Sequence, residues 1–566
     1  MGRRLFALVA LVVATRCCMW AGDGVPVQPF RVPFDFPLTL SGNFGELRSN
    51  HFHGGLDFKT QGVVGKPIRC IADGYISRVS VAPGGYGNAL YVTHPNGYTS
   101  VYGHLEAFPA ALADTVRRYQ YANETFPVDL TFNEGEFPVV QGEVLALAGN
   151  TGYSFGPHLH MEIRETATNE PVDPLLFYSR NIKDTTAPRA TAVMLYPMRG
   201  EGVVAGAAAK RRFVFGQSRT LAQPIEAWGV IGAGIATNDY MDGTTNNYGV
   251  CSVTLKVDGR EVFNSTVDRF LFSENRLINS WTDYEEYRSR GKWYMKSFIE
   301  PGNPLRMLRA FENRGLVTID QERDYRFEYI LADFHGNRST YSFVVRGVAQ
   351  DIPDFQPAGN HCLAFDRANI VAEPGMELVI PRGMLYADAD VRVVARPDTT
   401  VCSHRYLFEG DYVAFHDFCP LAIGVTDTTA VDTGKLYVAV RRKGKTASAG
   451  GVYEKGWMKT QIRDLSHSEY FVAVDTIPPK VTPQGEQQWG KRGTITFKIG
   501  DSQTGVRSYR GTVDGEFVLF EFSSKTLRLA CRLDKTPVKR GKRHTLHLVV
   551  TDYCGNETQI EKEFTY

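Results

Sequence analysis

The chain has 566 residues, too long for a single hydrophobic core, so three to five domains are expected. Its 43% hydrophobic and 22% charged residues are typical of a globular protein. The formal net charge of +1, without any long run of lysine or arginine, argues against nucleic acid as a partner.

The amino terminus has the pattern of an export signal. Gly2-Arg3-Arg4 is positively charged, an apolar run covers residues 5–13, and small residues near Ala21 suit a cleavage site. We therefore predict a signal peptide at residues 1–21. The apolar run is too short to cross a bilayer, and no later stretch reaches the ~20 apolar residues of a transmembrane helix.

Residues 22–183 show short β-like segments separated by glycine, proline and asparagine turns. Pro95-Asn96-Gly97 between two such segments predicts a β-hairpin. A segment from Ala107 to about Tyr121 is the only convincing helix candidate in this part, and Pro109 suits a helix start. The pattern indicates a small β domain at 22–183.

Two pairs of similar segments indicate repeated modules further along the chain. The sequence DTTAPR at 184–189 is echoed by DTIPPK at 475–480, and DFHGN at 333–337 is echoed by DYCGN at 552–556. These pairs predict β-sandwich modules at 184–350 and 475–566, with a third β module at 351–474 between them. The predicted fold class is all-β: a small antiparallel β domain followed by about three β-sandwich or immunoglobulin-like modules.

Seven cysteines remain beyond residue 21, scattered and without Cys-x-x-Cys spacing. Cys402 with Cys419, and Cys531 with Cys554, could form disulfides in an oxidising compartment. Small buried thiols are an equally good interpretation.

A glycine- and threonine-rich loop contains Asp239, Asp242, Asn246 and Asn247, whose oxygen atoms are of the type that binds calcium. Their spacing does not match an EF-hand. Local Asx turns are the better interpretation of this loop.

Histidines are concentrated in the first domain, where six of the thirteen lie between positions 51 and 160. From His158 to Ile163, apolar residues alternate with His158, His160 and Glu162. In a β-strand this alternation places both imidazoles and the carboxylate on one face. Neutral imidazole is the commonest protein metal ligand and also titrates near neutral pH.

His53 and Asp57 are separated by Gly54-Gly55 and one leucine. A regular strand would hold the two side chains about 13 Å apart, and the two glycines disfavour a helix. A kink that glycine permits would bring them together, as a metal site requires. Three histidine and aspartate ligands with one open position are typical of catalytic zinc. His53, Asp57 and one histidine of the 158/160 pair satisfy that description.

Three ordered motifs carry a family resemblance: His-x-x-x-Asp at 53–57, Tyr-Gly-His-Leu at 102–105, and Gly-x-x-x-Gly-Pro-His-Leu-His-x-Glu at 152–162. Together with SGNFGELR at 41–48, this set resembles the lysostaphin-type, LytM-like zinc endopeptidases over about residues 38–178. The resemblance implies one Zn²⁺ per chain. It further implies zinc ligands at His53, Asp57 and His160, and catalytic histidines at His104 and His158.

The same resemblance implies a small antiparallel β domain with its site in a groove, and a bacterial peptidoglycan peptide as substrate. The predicted function is therefore an exported zinc endopeptidase, periplasmic, envelope-bound or extracellular, that cleaves peptidoglycan cross-links through a zinc-activated water. The carboxy-terminal β modules could bind envelope proteins. The alternatives are a non-catalytic LytM-like envelope regulator or scaffold, and a zinc protease acting on protein substrates.

The chain departs from the family pattern between His104 and His158, which are separated by 53 residues. The extra segment, residues 107–138, begins just after a predicted catalytic histidine. It could be a lid, a substrate wall or an inhibitory plug. Glu162 could either orient a ligand imidazole or face solvent. We expect His51 and His94 to lie outside the site, and Tyr153 and Phe155 to line the groove.

Overall fold

The computed structural model describes residues 30–426 and 431–566. The predicted signal peptide at 1–21 lies outside these residues. Strands dominate the structure, so the predicted all-β class is confirmed. Within 30–426 and 431–566, no helix combines the length and the apolar character that a membrane crossing needs.

The first part of the chain is built from short strands. Its elements are β1 (Leu40–Gly42), β2 (Leu47–Arg48), β3 (His51–Phe52), β4 (Leu56–Lys59), β5 (Pro67–Arg69), β6 (Gly74–Val81), β7 (Asn88–Thr93), β8 (Tyr98–Gly103), β9 (Leu105–Ala107), α1 (Ala110–Ala122), β10 (Val128–Thr131), β11 (Pro138–Val139), β12 (Val144–Ala148), β13 (His158–Glu165), β14 (Pro171–Val172) and α2 (Leu175–Tyr178).

These strands form a nine-stranded antiparallel sheet with the order β1-β4-β13-β8-β7-β6-β10, in which β11 pairs with β6 and β14 with β13. A second sheet of three strands, β5-β12-β9, covers part of it. The hairpin predicted at residues 95–97 joins β7 to β8. The long central strand β13 lies between β4 and β8, so its side chains are held from both sides.

The segment 107–138 contains the predicted helix, which runs as α1 after Pro109. Its following strands β10 and β11 both pair with β6, at the edge of the sheet away from β4. The segment thus extends the far side of the sheet.

The next part contains the longest strands: β15 (Arg189–Val204), β16 (Arg211–Val214), β17 (Ile225–Asn238), β18 (Ser252–Val257), β19 (Arg260–Thr266), α3 (Ile278–Trp281), α4 (Tyr284–Arg290), β20 (Met295–Lys296), β21 (Leu308–Ala310), β22 (Val317–Ile319), β23 (Asp324–Ala332) and β24 (Arg338–Gly347). All ten strands belong to one hydrogen-bonded sheet, not to the two separate sheets of a simple sandwich. The register of β15 against β17 shifts between Pro197 and Gly202. Irregularities of this kind let a strand bend from one layer into another.

The following part has two sheets facing one core: β25 (His361–Leu363), β26 (Asn369–Glu373), β27 (Met376–Ile380), β28 (Ala389–Arg396), β29 (Arg405–Gly410), β30 (Ala414–Gly424), β31 (Leu436–Arg442), β32 (Lys445–Ser448), β33 (Val452–Glu454), β34 (Trp457–Asp464) and β35 (Glu469–Val474). The sheet orders are β25-β28-β29-β35-β31-β32 and β26-β27-β30-β34-β33.

The terminal part is a smaller pair of four-stranded sheets, ordered β36-β37-β41-β40 and β39-β38-β42-β43. Its elements are β36 (Lys480–Pro483), α5 (Trp489–Arg492), β37 (Thr494–Gly500), β38 (Val506–Val513), β39 (Glu516–Val518), β40 (Glu521–Ser523), β41 (Arg528–Arg532), β42 (Arg543–Asp552) and β43 (Glu557–Thr565). Trp489 is buried at the centre of this core.

The hairpin region before β4 joins the first part of the chain to the second. Phe44 and Phe52 are buried not in the core of their own sheet but in the core of the 184–350 module. The ring of Phe52 lies 5.3 Å from that of Phe270 and 6.0 Å from that of Trp281. The two parts therefore share apolar side chains at the place where His53 follows.

The terminal module contacts the first part through the 107–138 segment. Arg510 forms a bidentate ion pair with Glu124, at 2.6 and 3.0 Å, and Arg117 donates to the carbonyl oxygen of Lys535 at 2.6 Å. Tyr121 packs edge-on against Phe517. The far edge of the first sheet is thus a docking edge for the last module.

The cysteines do not form the two candidate disulfides. Cys419, Cys531 and Cys554 carry free thiols, so neither of the bridges considered from the sequence is present among the described residues. Burial raises the pKa of the Cys419 and Cys531 thiols to about 12. These cysteines pack as small apolar side chains.

Replacement of Phe52 by alanine tests the shared core. Since Phe52 is only 2% exposed, we expect Phe52→Ala to lower the free energy of unfolding by about 3–5 kcal/mol. Urea denaturation followed by tryptophan fluorescence would measure the loss. Phe155→Ala, at a fully exposed ring, is the matched control and should change stability by less than ~0.5 kcal/mol. Equal effects of the two substitutions would contradict the shared core.

Candidate metal centre and active site

The site begins with the pairing of β4 and β13. Asp57 lies directly opposite His160 in this antiparallel pair, and Gly103 lies opposite His160 on the other side. The predicted alternation of β13 is present: Leu159 and Met161 are buried in the core below the sheet. The other face of β13 carries His158, His160 and Glu162, as the alternation in the sequence predicts.

The predicted glycine kink lies between β3 and β4. A Cβ atom at Gly55 would be 2.1 Å from the carbonyl oxygen of Met161, and one at Gly54 would be 3.0 Å from Oε1 of Glu162. Any side chain at Gly55 would therefore push β4 away from β13. The close approach turns His53 back over the sheet toward Asp57.

Three donor atoms meet above this sheet. His53 Nε2 lies 3.0 Å from Asp57 Oδ1 and 2.9 Å from His160 Nδ1, and His160 Nδ1 lies 2.9 Å from Asp57 Oδ1. All three residues are buried. Donor atoms about 3 Å apart can contact one ion together at the ~2.0–2.2 Å of metal–nitrogen and metal–oxygen bonds. The donor set thus fits a metal ion.

Each donor is held by a second contact on its far side. His53 Nδ1 donates to the carbonyl oxygen of Asn43 at 2.6 Å, which leaves the Nε2 lone pair toward the other donors. Arg48 Nη2 contacts Asp57 Oδ2 at 2.6 Å and so directs Oδ1 into the site. Burial lowers the pKa of His53 to about 4, so its imidazole is neutral, as a metal ligand must be.

Glu162 is fully buried and fixes His160. Its Oε1 lies 2.8 Å from His160 Nε2, and its Oε2 accepts from Arg164 Nε at 2.7 Å. Burial disfavours the carboxylate, but the charge of Arg164 and the contact with His160 outweigh burial and lower the pKa of Glu162 to about 2. Of the two roles left open by the sequence, Glu162 has the geometry that orients an imidazole. Tyr86 also donates to Oε1.

His104 and His158 lie beside the donor triangle, with ring centroids 4.7 Å apart. His104 Nδ1 donates to the carbonyl oxygen of Thr151 at 2.8 Å, and His158 Nδ1 lies 2.9 Å from that of Gly156. His104 has a left-handed backbone, with φ of 61°. Burial, together with the imidazoles of His160 and His158, lowers the pKa of His104 to about 3. Both rings are thus held by Nδ1 and present Nε2.

These groups lie at the floor of a cleft of about 1380 Å³. Tyr153 and Phe155 line it as expected, and His51 lies on its rim with an exposed ring. None of the lining residues comes from 107–138, so within the described residues that segment is neither a wall nor a plug of this cleft. His94 lies apart and is satisfied by contacts with Asp73 and Ser100.

The opposite wall of the cleft comes from the 184–350 module, which the sequence did not indicate. Phe272, Asn275, Tyr287 and Trp293 line it, and Tyr287 stacks on Trp293 with ring centroids 3.9 Å apart. The only sequence signal was an unusual group of aromatic residues in 284–294. Nothing in that pattern places the group beside histidines that lie more than 100 positions away.

Comparison with known families gives two matches. Residues 51–122 match the model described as peptidase family M23, and residues 360–475 match a Zu5-like domain. The first match includes His53, Asp57 and His104 and ends before the 158–160 pair. The second falls on the part with strands β25 to β35.

Curated relatives match the chain over segments of 123 and 129 residues. The DD-carboxypeptidase/endopeptidase Mpg of Neisseria meningitidis serogroup B is 34% identical over 129 residues, which is 23% of this chain and 23% of that protein. The peptidoglycan DD-endopeptidase ShyB of Vibrio cholerae is 31% identical over 123 residues, 22% of each chain. The chain thus spans about a quarter of the length of these relatives.

Among solved structures, the catalytic domain of the antimicrobial peptidase lysostaphin from Staphylococcus simulans aligns at 23% identity with a TM-score of 0.18. That alignment covers 24% of this chain and 89% of that one. The family match falls on His53, Asp57 and His104, and the curated relatives are named as peptidases. The chain therefore contains a domain of peptidase family M23, the family of the lysostaphin-type and LytM-like endopeptidases.

Proposed function

We propose that the chain is an exported zinc endopeptidase that hydrolyses the peptide cross-links of bacterial peptidoglycan. The observation that carries the proposal is the meeting of His53 Nε2, Asp57 Oδ1 and His160 Nδ1 within 3.0 Å of one another. Two further imidazoles stand beside them at the floor of an open cleft. The peptidase names of the relatives support the reaction class.

His53, Asp57 and His160 would hold the ion. Two nitrogen donors and one carboxylate, with a position left open toward the cleft, are the set that suits catalytic zinc. Zinc bound there would supply Lewis-acid chemistry, polarising a carbonyl and lowering the pKa of water. Arg48 and Glu162 keep the carboxylate and the imidazole in the orientation that the ion needs.

His104 and His158 would accept and donate protons during the reaction. Since each Nδ1 is engaged with a carbonyl oxygen, each Nε2 can accept a proton as water attacks the peptide carbonyl. The resulting imidazolium can donate to the carbonyl oxygen as negative charge develops there, or to the leaving amine. His104 is neutral before the reaction, because burial and the neighbouring imidazoles keep its pKa near 3.

The substrate assignment rests on shape and on the relatives. The cleft, of about 1380 Å³, is large enough for a segment of extended peptide. ShyB, one of the relatives, is named as a peptidoglycan DD-endopeptidase. An export signal at residues 1–21 would bring this chain to the same kind of substrate. The carboxy-terminal modules would then position the domain in the envelope or bind envelope proteins.

Substitution of the two strand histidines separates the proposed roles. His160→Ala removes a donor, so the purified full-length chain should lose its zinc and its activity together. His158→Ala should keep about one zinc per chain while turnover falls about 10²- to 10⁴-fold. Metal analysis by mass spectrometry and digestion of cross-linked muropeptides would measure both.

His547→Ala, at a partly exposed histidine of β42 in the terminal module, serves as the control and should keep zinc and turnover. Equal loss of zinc from His158→Ala and His160→Ala would contradict the division of roles. Full zinc occupancy without cleavage of any muropeptide would instead favour a non-catalytic envelope regulator. Cleavage of protein substrates alone would favour a general zinc protease.

Glu162 provides a test of how the ligand is oriented. Glu162→Gln replaces the charged acceptor of His160 by a neutral one, and we expect zinc affinity to fall about 10- to 100-fold. Competition with a chromogenic chelator measures that affinity. Glu165→Gln lies on the same strand, where its carboxylate pairs with Arg269 at 3.1 Å, and should leave zinc affinity unchanged. A Glu162→Gln chain that holds zinc as tightly as this control would exclude the positioning role.

A further inference from the structure

A group of buried acidic side chains lies where the peptidase domain passes into the 184–350 module. Asp184 follows the last turn of the peptidase domain, Asp239 follows β17, and Asp333 follows β23. Their exposures are 7%, 1% and 1%. The loop residues that the sequence grouped with Asp239 do not join it: Asp242 accepts hydrogen bonds from Thr185 instead.

Several polar atoms of this group lack hydrogen-bond partners among the described residues. They are Oδ2 of Asp184, Oδ1 of Asp239 and Nδ1 of His335. Donor atoms of Asp184, Asp333 and His335 lie within 4.8 Å of one another, with His335 Nδ1 3.7 Å from Asp184 Oδ2. His335 Nε2 lies 3.2 Å from the carbonyl oxygen of Ser179, which can only accept, so Nδ1 presents its lone pair to the carboxylates.

The negative charges of the group are not balanced by the protein. Among the described residues, no lysine or arginine forms an ion pair with Asp184, Asp239 or Asp333, and Lys183 pairs with Asp242 instead. Burial and the charge of Asp333 raise the pKa of Asp184 to about 6. Burial and the charges of Asp333 and Asp184 raise that of Asp239 to about 9. Buried charges without partners are costly, and a cation between them would relieve the cost.

The terminal module repeats the same three positions. Asp475, like Asp184, stands four residues before a proline that precedes the first strand, and Asp552 begins the second DxxGN motif. Asp501 follows Gly500, which pairs with Lys480, just as Asp239 follows Asn238, which pairs with Arg189. The asparagine of the motif binds equivalent atoms in both modules: Asn337 donates to the carbonyl oxygen of Asp184, and Asn556 to that of Asp475.

The two modules differ in what satisfies the carboxylates. In the terminal module, the hydroxyl of Thr504 donates to Asp475 Oδ2 at 2.6 Å, and backbone N–H groups of residues 503–505 donate to Asp501 Oδ2 at 2.7–2.9 Å. In the first module, the corresponding Oδ2 of Asp184 receives no such donor, while Oδ1 of Asp239 and Oδ1 of Asp501 lack partners alike. The two modules thus differ at Asp184 and Asp475, where only the terminal module supplies a hydroxyl donor.

We propose that Asp184, Asp333 and His335 bind one divalent cation of the Ca²⁺ or Mn²⁺ class. Carboxylate oxygens are the ligands that these ions prefer, and a nearby imidazole nitrogen is more acceptable to Mn²⁺ than to Ca²⁺. The ion would be structural and separate from the histidine site. It would fix the junction between the peptidase domain and the module that forms the opposite wall of the cleft.

Calorimetry of the full-length chain tests the proposal. The chain is stripped with a chelator and given one equivalent of zinc to fill the histidine site, then heated with and without CaCl₂ or MnCl₂. At one hundred times the dissociation constant, the added cation should raise the melting temperature of the transition that includes the 184–350 module by about 5–10 °C. Asp184→Asn should abolish this shift, because it changes the carboxylate whose Oδ2 has no partner. Asp475→Asn, the matched position in the terminal module, should retain it.

His160→Ala should also retain the shift, which separates this site from the proposed zinc site. The proposal is wrong if neither cation shifts the melting temperature of the unaltered chain, or if Asp184→Asn shows the same shift. If Asp184→Asn does not fold, Asp333→Asn takes its place. Isothermal titration of the zinc-loaded, unaltered chain must in either case show one further binding event for Ca²⁺ or Mn²⁺. The absence of that event would overturn the proposal without any variant.

Discussion

The antiparallel pairing of β4 with β13 is the constraint on which the rest of the site depends. It sets Asp57 opposite His160, and it exists only because Gly55 has no side chain where the carbonyl oxygen of Met161 passes. The same close approach turns His53 over the sheet, so one backbone contact places all three donors. An alanine at Gly55 would separate the strands and remove the triangle at once, without altering any donor residue.

The peptidase domain does not form its site alone. His53 donates to the carbonyl oxygen of Asn43, whose side chain makes two 2.8 Å hydrogen bonds with the backbone of Gly249 in the next module. Phe44 and Phe52, on either side of the same hairpin, are buried in that module's core. A ligand of the proposed metal is therefore held between two apolar side chains and a polar one, all of which contact residues 184–350.

The sequence was sufficient for what depends on near neighbours in the chain. Alternation placed His158, His160 and Glu162 on one face, the glycine pair required a kink after His53, and the helix after Pro109 is present. It was not sufficient for contacts between distant segments. The burial of Phe52 against Trp281, and the cleft wall at Trp293, depend on how two modules pack, which no local pattern encodes. The 107–138 segment was placed beside the groove because it follows His104, yet it docks on the terminal module instead.

The histidine site and the aspartate cluster at the module junction differ in how their negative charges are balanced. At the histidine site, Arg48 and Arg164 face Asp57 and Glu162, so the anions stay ionised while the donor atoms point inward. At the module junction, no guanidinium or ammonium group of the described residues faces Asp184, Asp239 or Asp333. Because Asp184 directly follows the peptidase domain, these carboxylates lie at the junction with the module that carries the aromatic wall of the cleft. The proposed cation would therefore stabilise the junction between the two parts of the chain that line the cleft.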